Sequence, residues 1–228
     1  LNRNLTFQLT HELGSEIVKG TYPSGAIMPS EAVISERYDV SRSSTREAVK
    51  MLSAKGLISS RPRQGIRVED ETKWNLFDPD VLNWILQSKP SLQLLREFTQ
   101  VRYAIEPVAA KLAAENADET NIQELESALH RIAEAQMGLD DQLDAHISFL
   151  NAILNASGNR FFIQLTQFVS AALRVSIRYV NTAMNVDNTD ITFHEKVFNA
   201  IKSGNGDDAF ALTEHILSDA LSVIEDKM

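Results

Sequence analysis

Apolar positions divide the chain into a few short helices, one strand pair and a long helical remainder. Leu5, Leu9, Leu13, Ile17 and Val18 recur at near-helical intervals, which predicts a helix over 5–19. Gly20 ends it, and Tyr22-Pro23-Ser24-Gly25 has the composition of a turn. Pro29-Ser30-Glu31 has the form of a helix start, and a short helix should reach about Tyr38. Asp39-Val40-Ser41 then makes a tight connection into a helix over 43–55, with Ala48, Val49, Leu52 and Ala54 inward. Ser44 and Glu47 have capping-box spacing, and Ser41 with Ser44 offers a weaker form. Gly56 stops the helix. Leu57-Ile58-Ser59-Ser60 and Ile66-Arg67-Val68 are strand candidates, joined by a hairpin tip at Arg61-Pro62-Arg63-Gln64-Gly65.

After Val68 the pattern changes. Residues 69–80 are mostly polar and contain Pro79, which suits a linker. The remainder shows helical spacing over about 80–87, 91–116, 118–137, 140–156, 159–182, 190–203 and 207–226. The breaks are Gly138, Ser157-Gly158 and Gly204-Asn205-Gly206. The expected fold is therefore mainly α. A winged helix-turn-helix occupies 1–70, a linker and short helix 71–90, and an all-α helical-bundle domain 91–228.

Composition narrows the classes. With 228 residues, 43% hydrophobic and 23% charged, the chain fits one large domain or two modest ones. The absence of cysteine excludes disulfides and thiolate sites and is compatible with a cytoplasmic location. No apolar run approaches the roughly 20 residues a membrane span needs, and Leu1 to Thr6 lacks the pattern of a signal peptide. No membrane partner is expected. The net charge of −9 argues against a nucleic-acid binder until its distribution is considered. From Arg37 to Arg67 there are eight Lys/Arg against Asp39 and Glu47, a local net of +6. Residues 71–228 carry 12 basic and 23 acidic residues, a net of −11. A basic block on an acidic body points one part of the chain at a polyanion.

The candidate chemistry sits in that block. Ser41-Arg42-Ser43-Ser44-Thr45-Arg46-Glu47 opens the third helix with small hydroxyl residues, which let phosphates approach its N-terminal N–H groups. Arg42 and Arg46 are four residues apart and so share a side of the helix, with Lys50 a further turn along. Arginine suits both guanine O6/N7 and phosphate. Arg61 and Arg63 at the wing tip are placed to grip backbone beside the groove. Double-stranded operator DNA is the expected partner.

Residues 5–68 resemble the GntR family of bacterial regulators. The resemblance is carried by Gly25-Ala26-Ile27-Met28-Pro29-Ser30-Glu31, by Val40 to Ala48, by Leu52…Gly56-Leu57-Ile58 and by the wing from Arg61 to Val68. The helical remainder is similar to the ligand-binding (FCD-type) domain of the FadR subfamily. That similarity runs through Val101-Arg102…Glu106-Pro107…Ala109-Ala110…Ala113-Ala114, Ala156-Ser157-Gly158-Asn159 and His194…Ala200-Ile201. The run from Trp74 to Trp84 looks most like the branch that controls sugar-acid catabolism. The resemblance implies DNA contacts from Ser41, Arg42, Ser43, Ser44, Arg46, Gln64 and Gly65. Many relatives also read a base with an arginine near the start of the second helix, where Ala32 stands here, so their operators do not carry over.

The resemblance further implies a polar cavity with a divalent metal held by an Asp and a His four apart plus two more His. Counted from Asn159, these positions fall on His146, Leu150, His194 and, within one residue, His215. A centre of His146, His194 and His215 is therefore expected to suit zinc or nickel. Effector contacts are expected from Arg102, Arg174 and Arg178, because a small anionic metabolite needs cations, and from the neutral amide of Asn159. The reading that follows is a homodimeric regulator, of repressor type, controlled by a sugar acid. The alternative from another class is a metal-dependent enzyme using the three histidines, although no general base or nucleophile accompanies them. A protein-interaction adaptor is a third, which the basic wing disfavours.

Overall fold

The computed structural model describes residues 2–88, 91–174 and 191–228. It divides into two compact units, Leu1–Lys89 and Pro90–Met228.

In the first unit α1 (Asn2–Lys19), α2 (Glu31–Arg37) and α3 (Arg42–Ala54) precede the antiparallel pair β1 (Ile58–Arg61) and β2 (Gly65–Val68). Leu9, Leu13, Ile17 and Val18 from α1 bury against Ile34, Ala48, Val49 and Leu52 from α2 and α3. Each completely buried Leu or Ile among them contributes about 1.5–3 kcal/mol. The cap of α3 is Ser41, which accepts from Ser44 N–H at 3.1 Å, so the weaker of the two sequence patterns is the one used. A third extended stretch was not readable from the sequence. Met28 N–H donates to the Ile66 carbonyl at 2.8 Å and Val68 N–H to that of Ala26 at 3.0 Å, so residues before Pro29 flank β2.

The segment expected to be a linker belongs to this unit. A 3₁₀ turn (Glu71–Lys73) leads to α4 (Pro79–Ser88). Lys55 closes α3 and binds both Asp78 and Asp80 at 2.8 Å. Trp84 of α4 is buried and donates from Nε1 to His11 Nδ1 at 2.9 Å. Gly14 leaves the space the indole fills, since a Cβ there would lie 2.4 Å from the ring. Composition suggested a linker because 69–80 is polar, but those polar groups pair with the head.

The second unit is all helical among the described residues. It contains α5 (Leu92–Asn116), α6 (Glu119–Gln136), α7 (Gln142–Ala156), α8 (Arg160–Gln164), α9 (166–174), α10 (Ile191–Lys202) and α11 (Gly206–Glu225). Ala109, Ala110 and Ala113 are fully buried on α5, which packs extensively on α11. Their small side chains permit close helix approach. The ion pairs Arg96–Glu225 and Lys111–Asp207 and the hydrogen bond Tyr103–Glu214 tie the same two helices together. No helix among the described residues is long and apolar enough to cross a membrane.

Candidate functional site

Ser41, the residue before α3, organises the N-terminal side of the reading face. Its hydroxyl also meets those of Ser43 and Ser44, each at 2.9 Å. Ser44 and Thr45 are buried, and Thr45 Oγ1 donates back to the Ser41 carbonyl at 3.2 Å. One of the expected hydroxyl contacts, Ser44, is thus turned inward to build the cap and is not presented on the surface, whereas Ser41 and Ser43 remain exposed. Arg42, Ser43, Arg46, Glu47 and Lys50 are exposed and form one strip along α3, as the helical repeat requires.

The cations on the strip differ in their neighbours. Arg46 donates from Nε to Glu31 Oε2 at 3.4 Å, across from α3 to α2. Lys50 pairs with Glu47 at 2.8 Å one turn back. Arg42 and Arg63 have no ion-pair partner among the described residues. At the wing, Arg61, Pro62, Arg63, Gln64 and Gly65 are all exposed. Gln64 N–H donates to the Arg61 carbonyl at 3.1 Å, and Arg63 takes a positive φ of 67° as the third residue of this tight turn. Arg67 is committed elsewhere, since its guanidinium donates to the Gly25 carbonyl at 2.5 Å.

The helical unit deals differently with its candidates. Arg102 binds Glu106 through two contacts, Nε–Oε1 at 2.6 Å and Nη2–Oε2 at 3.1 Å, and Glu106 is buried. Arg174 donates from Nη1 to Asp144 Oδ1, both groups being roughly half exposed. Asn159 is the cap of α8 and accepts from Phe161 N–H at 3.0 Å, which gives it a structural task. Arg178 lies outside the described residues. A further arginine, Arg131, escaped the sequence reading. It makes a forked contact with Asp140 at 2.7 and 3.2 Å and reaches Ser148 at 2.5 Å. This fork holds the Asp140 carboxyl below its usual range. Nothing near Arg131 in the sequence separates it from an ordinary surface cation, because its partners are 9 and 17 residues away.

The expected three-histidine centre does not form. His146 and His194 meet edge to face, with ring centroids 4.8 Å apart, beside Phe149. His146 Nδ1 lies 2.7 Å from the Gln142 carbonyl; a carbonyl only accepts, so Nδ1 carries the proton. His215 is 70% exposed and its Nδ1 faces Asp219 at 3.5 Å. It lines a shallow open groove with Lys196, Asn199, Ser203, Asp208 and Leu212. The sequence left its register open by one residue. One residue on a helix is a rotation of about 100°, enough to move a side chain from inside to outside. Among the described residues no three His, Asp or Glu side chains are grouped to hold a metal ion. The residues present therefore do not fit the metal centre the resemblance implied. The enzyme alternative, which needed the three histidines together, loses its site with it.

Comparison with known proteins places these features. Residues 5–68 match the model described as bacterial regulatory proteins, gntR family, and residues 97–219 match the FCD domain. Over 208 residues the chain is 31% identical to the galactonate operon transcriptional repressor of Escherichia coli (strain K12), covering 90% of each. The chain belongs to the GntR family. An uncharacterised HTH-type regulator of the same organism, YieP, is 30% identical over 217 residues, covering 94% of this chain and 93% of that one. The fold is shared with solved structures. Streptococcus agalactiae GntR has a TM-score of 0.54 at 20% identity, covering 96% of this chain and 99% of that one. Lar, described as controlling expression of the Listeria monocytogenes agr system, has a TM-score of 0.63 at 15% identity, covering 98% and 97%. This member of the GntR family is thus a DNA-binding transcription regulator of the FadR type, with a winged head and an FCD domain.

Proposed function

We propose that the chain is a repressor-type regulator, a homodimer acting in the cytoplasm, whose grip on an operator is set by a small carboxylate of the sugar-acid class bound in the FCD domain. The observation that carries the DNA part is the exposed strip of Arg42, Ser43, Arg46 and Lys50 on α3, together with the wing-tip cations Arg61 and Arg63 and the exposed Gln64 and Gly65. A helix with this strip reads base edges from the major groove while a basic wing holds phosphate. Two heads in a dimer match half-sites about one helical turn apart.

The relative that represses a galactonate operon supports the choice of effector class. So does the provision of cations. Arg102, Arg131 and Arg174 each face a carboxylate, from Glu106, Asp140 and Asp144. The Arg174–Asp144 pair is the most accessible of the three, so a ligand carboxylate displaces Asp144 there at least desolvation cost. Arg102 is the poorer entry point, because displacing Glu106 would leave a buried carboxylate unpaired.

The test combines two measurements on the full chain. Fluorescence anisotropy against DNA from upstream of its own operon should show tight, salt-sensitive binding. Thermal denaturation with a panel of hexonates and smaller hydroxy acids, starting from galactonate, should reveal a stabilising ligand that also releases the DNA. Absence of salt-dependent binding at every ligand condition rejects the operator reading. A stabilising ligand that leaves DNA affinity untouched rejects effector control.

A further inference from the structure

Glu31 is an anomaly on the reading face. The strip and wing tip carry Arg42, Arg46, Lys50, Arg61 and Arg63, and a carboxylate among them opposes the approach of DNA. Glu47 is accounted for by its pairing with Lys50 within α3. Among the described residues it is Glu31, with its side chain 32% exposed, that reaches from another helix to the Nε edge of Arg46. It is not needed to hold α2 on α3. That contact is made by Ile34, buried in one cluster with Ala48, Val49 and Leu52 of α3, while Ser35 donates to the Val40 carbonyl at 2.6 Å and ties α2 to the connection that follows it. An exposed ion pair of this kind adds little to stability.

The geometry does suit recognition. Arginine has five N–H groups in a planar fork, and the contact at Nε occupies one edge while leaving the two terminal nitrogens open. Those two are the pair that engage guanine O6 and N7 together. A carboxylate anchored on a different helix fixes the plane of the fork relative to both helices. It also matches the charge that would otherwise draw Arg46 to any phosphate.

We infer that Glu31 is a positioning residue that sets specificity, holding Arg46 by its Nε edge so that its terminal nitrogens read a base and are withheld from phosphate. This rests on the proposed reading of α3 as the base-reading helix.

The experiment uses the full chain. The wild-type protein enriches a preferred duplex of about 30 base pairs from a random library, long enough for two half-sites. Affinities for that duplex and for a scrambled one of equal composition are then measured across salt concentrations. In Glu31→Gln, affinity for the scrambled duplex should rise about threefold to tenfold and its log–log salt slope should steepen by about one, as one more phosphate contact requires. The ratio of preferred to scrambled affinity should fall about tenfold, with the melting temperature little changed. Glu31→Asp keeps the charge but shortens the reach, and should also lose discrimination. In an Arg46→Ala background the effect of Glu31→Gln on the ratio should vanish. The inference is overturned if Glu31→Gln keeps the wild-type ratio, if Glu31→Asp behaves as wild type, or if the loss persists without Arg46. Failure of the wild type to enrich any sequence overturns instead the reading of α3 on which it rests.

Discussion

Two glycines with the same backbone conformation separate two physical effects. Gly20 and Gly56 both end helices at positive φ, 87° and 79°. A Cβ on Gly20 would meet nothing within 4 Å, whereas one on Gly56 would lie 2.2 Å from the Lys73 carbonyl oxygen. Gly20→Ala should therefore cost only the backbone term of about 1–2 kcal/mol. Gly56→Ala must also push the 70–74 segment away, and should cost at least about 3 kcal/mol in urea unfolding. Equal losses for the two would show that the close approach at Gly56 does not constrain the head. Arg63 presents the opposite situation, a non-glycine residue at positive φ on an exposed tip. Arg63→Gly relieves that strain but adds chain entropy, so stability should stay within about 1 kcal/mol of wild type. DNA affinity should nevertheless fall and the salt slope flatten by about one if the side chain holds phosphate. An unchanged slope would remove Arg63 from the interface. The sequence showed Gly56 as a helix stop, but not that the chain returns against it 17 residues later, because such returns leave no local pattern.

At the scale of elements, local spacing found both wing strands and most helices of the two units, but the single helix expected over 159–182 divides at Leu165 into α8 and α9, and its residues 175–182 lie outside the described ones. It failed where partners are remote: Arg46 with Glu31, Trp84 with His11, Arg131 with Ser148, and His215 away from His146. The join of α1 to α2 is another such contact, and it has a pH signature. Tyr38, at the end of α2, donates to Glu16 of α1 at 3.2 Å. Burial, with the Glu16 charge adding to it, pushes the Tyr38 phenol up to about 12 from an ordinary 10.0. Below pH 10 the folded and unfolded chains both keep this proton, and the contact contributes in full. Between about pH 10 and pH 12 the unfolded chain releases its proton first, so stability falls as pH rises. Urea unfolding of wild type and Tyr38→Phe across that window isolates the effect from other alkaline titrations. The wild type should lose stability more steeply than the variant. Parallel curves would mean that Tyr38 keeps an ordinary phenol.

For the whole molecule the question is how an FCD domain ligand reaches the DNA head. Because α4 is held to the head by Lys55, Asp78, Asp80, Trp84 and His11, it belongs mechanically with the first unit rather than with a loose tether. Whatever route the signal takes, thermodynamics fixes its size from both ends. If a sugar acid weakens operator affinity by some factor, operator must weaken sugar-acid affinity by that same factor, since both describe one coupling free energy. Typical couplings are about 1–3 kcal/mol, or roughly 5- to 150-fold. Calorimetric titration of the screened acid into free protein and into protein saturated with operator should give affinities whose ratio equals the shift seen in anisotropy. Arg174→Ala is the informative variant, because Arg174 and Asp144 are both roughly half exposed and removing the arginine leaves no buried charge. It should weaken the acid in both titrations while DNA affinity without ligand stays at the wild-type value. Arg102→Ala is unsuited to this purpose, since it strands the buried Glu106 carboxylate and destabilises the domain whether or not a ligand binds there. Unequal factors in the two titrations would mean that the acid acts at more than one site, and an unaltered acid affinity in Arg174→Ala would move the ligand away from the Arg174–Asp144 pair.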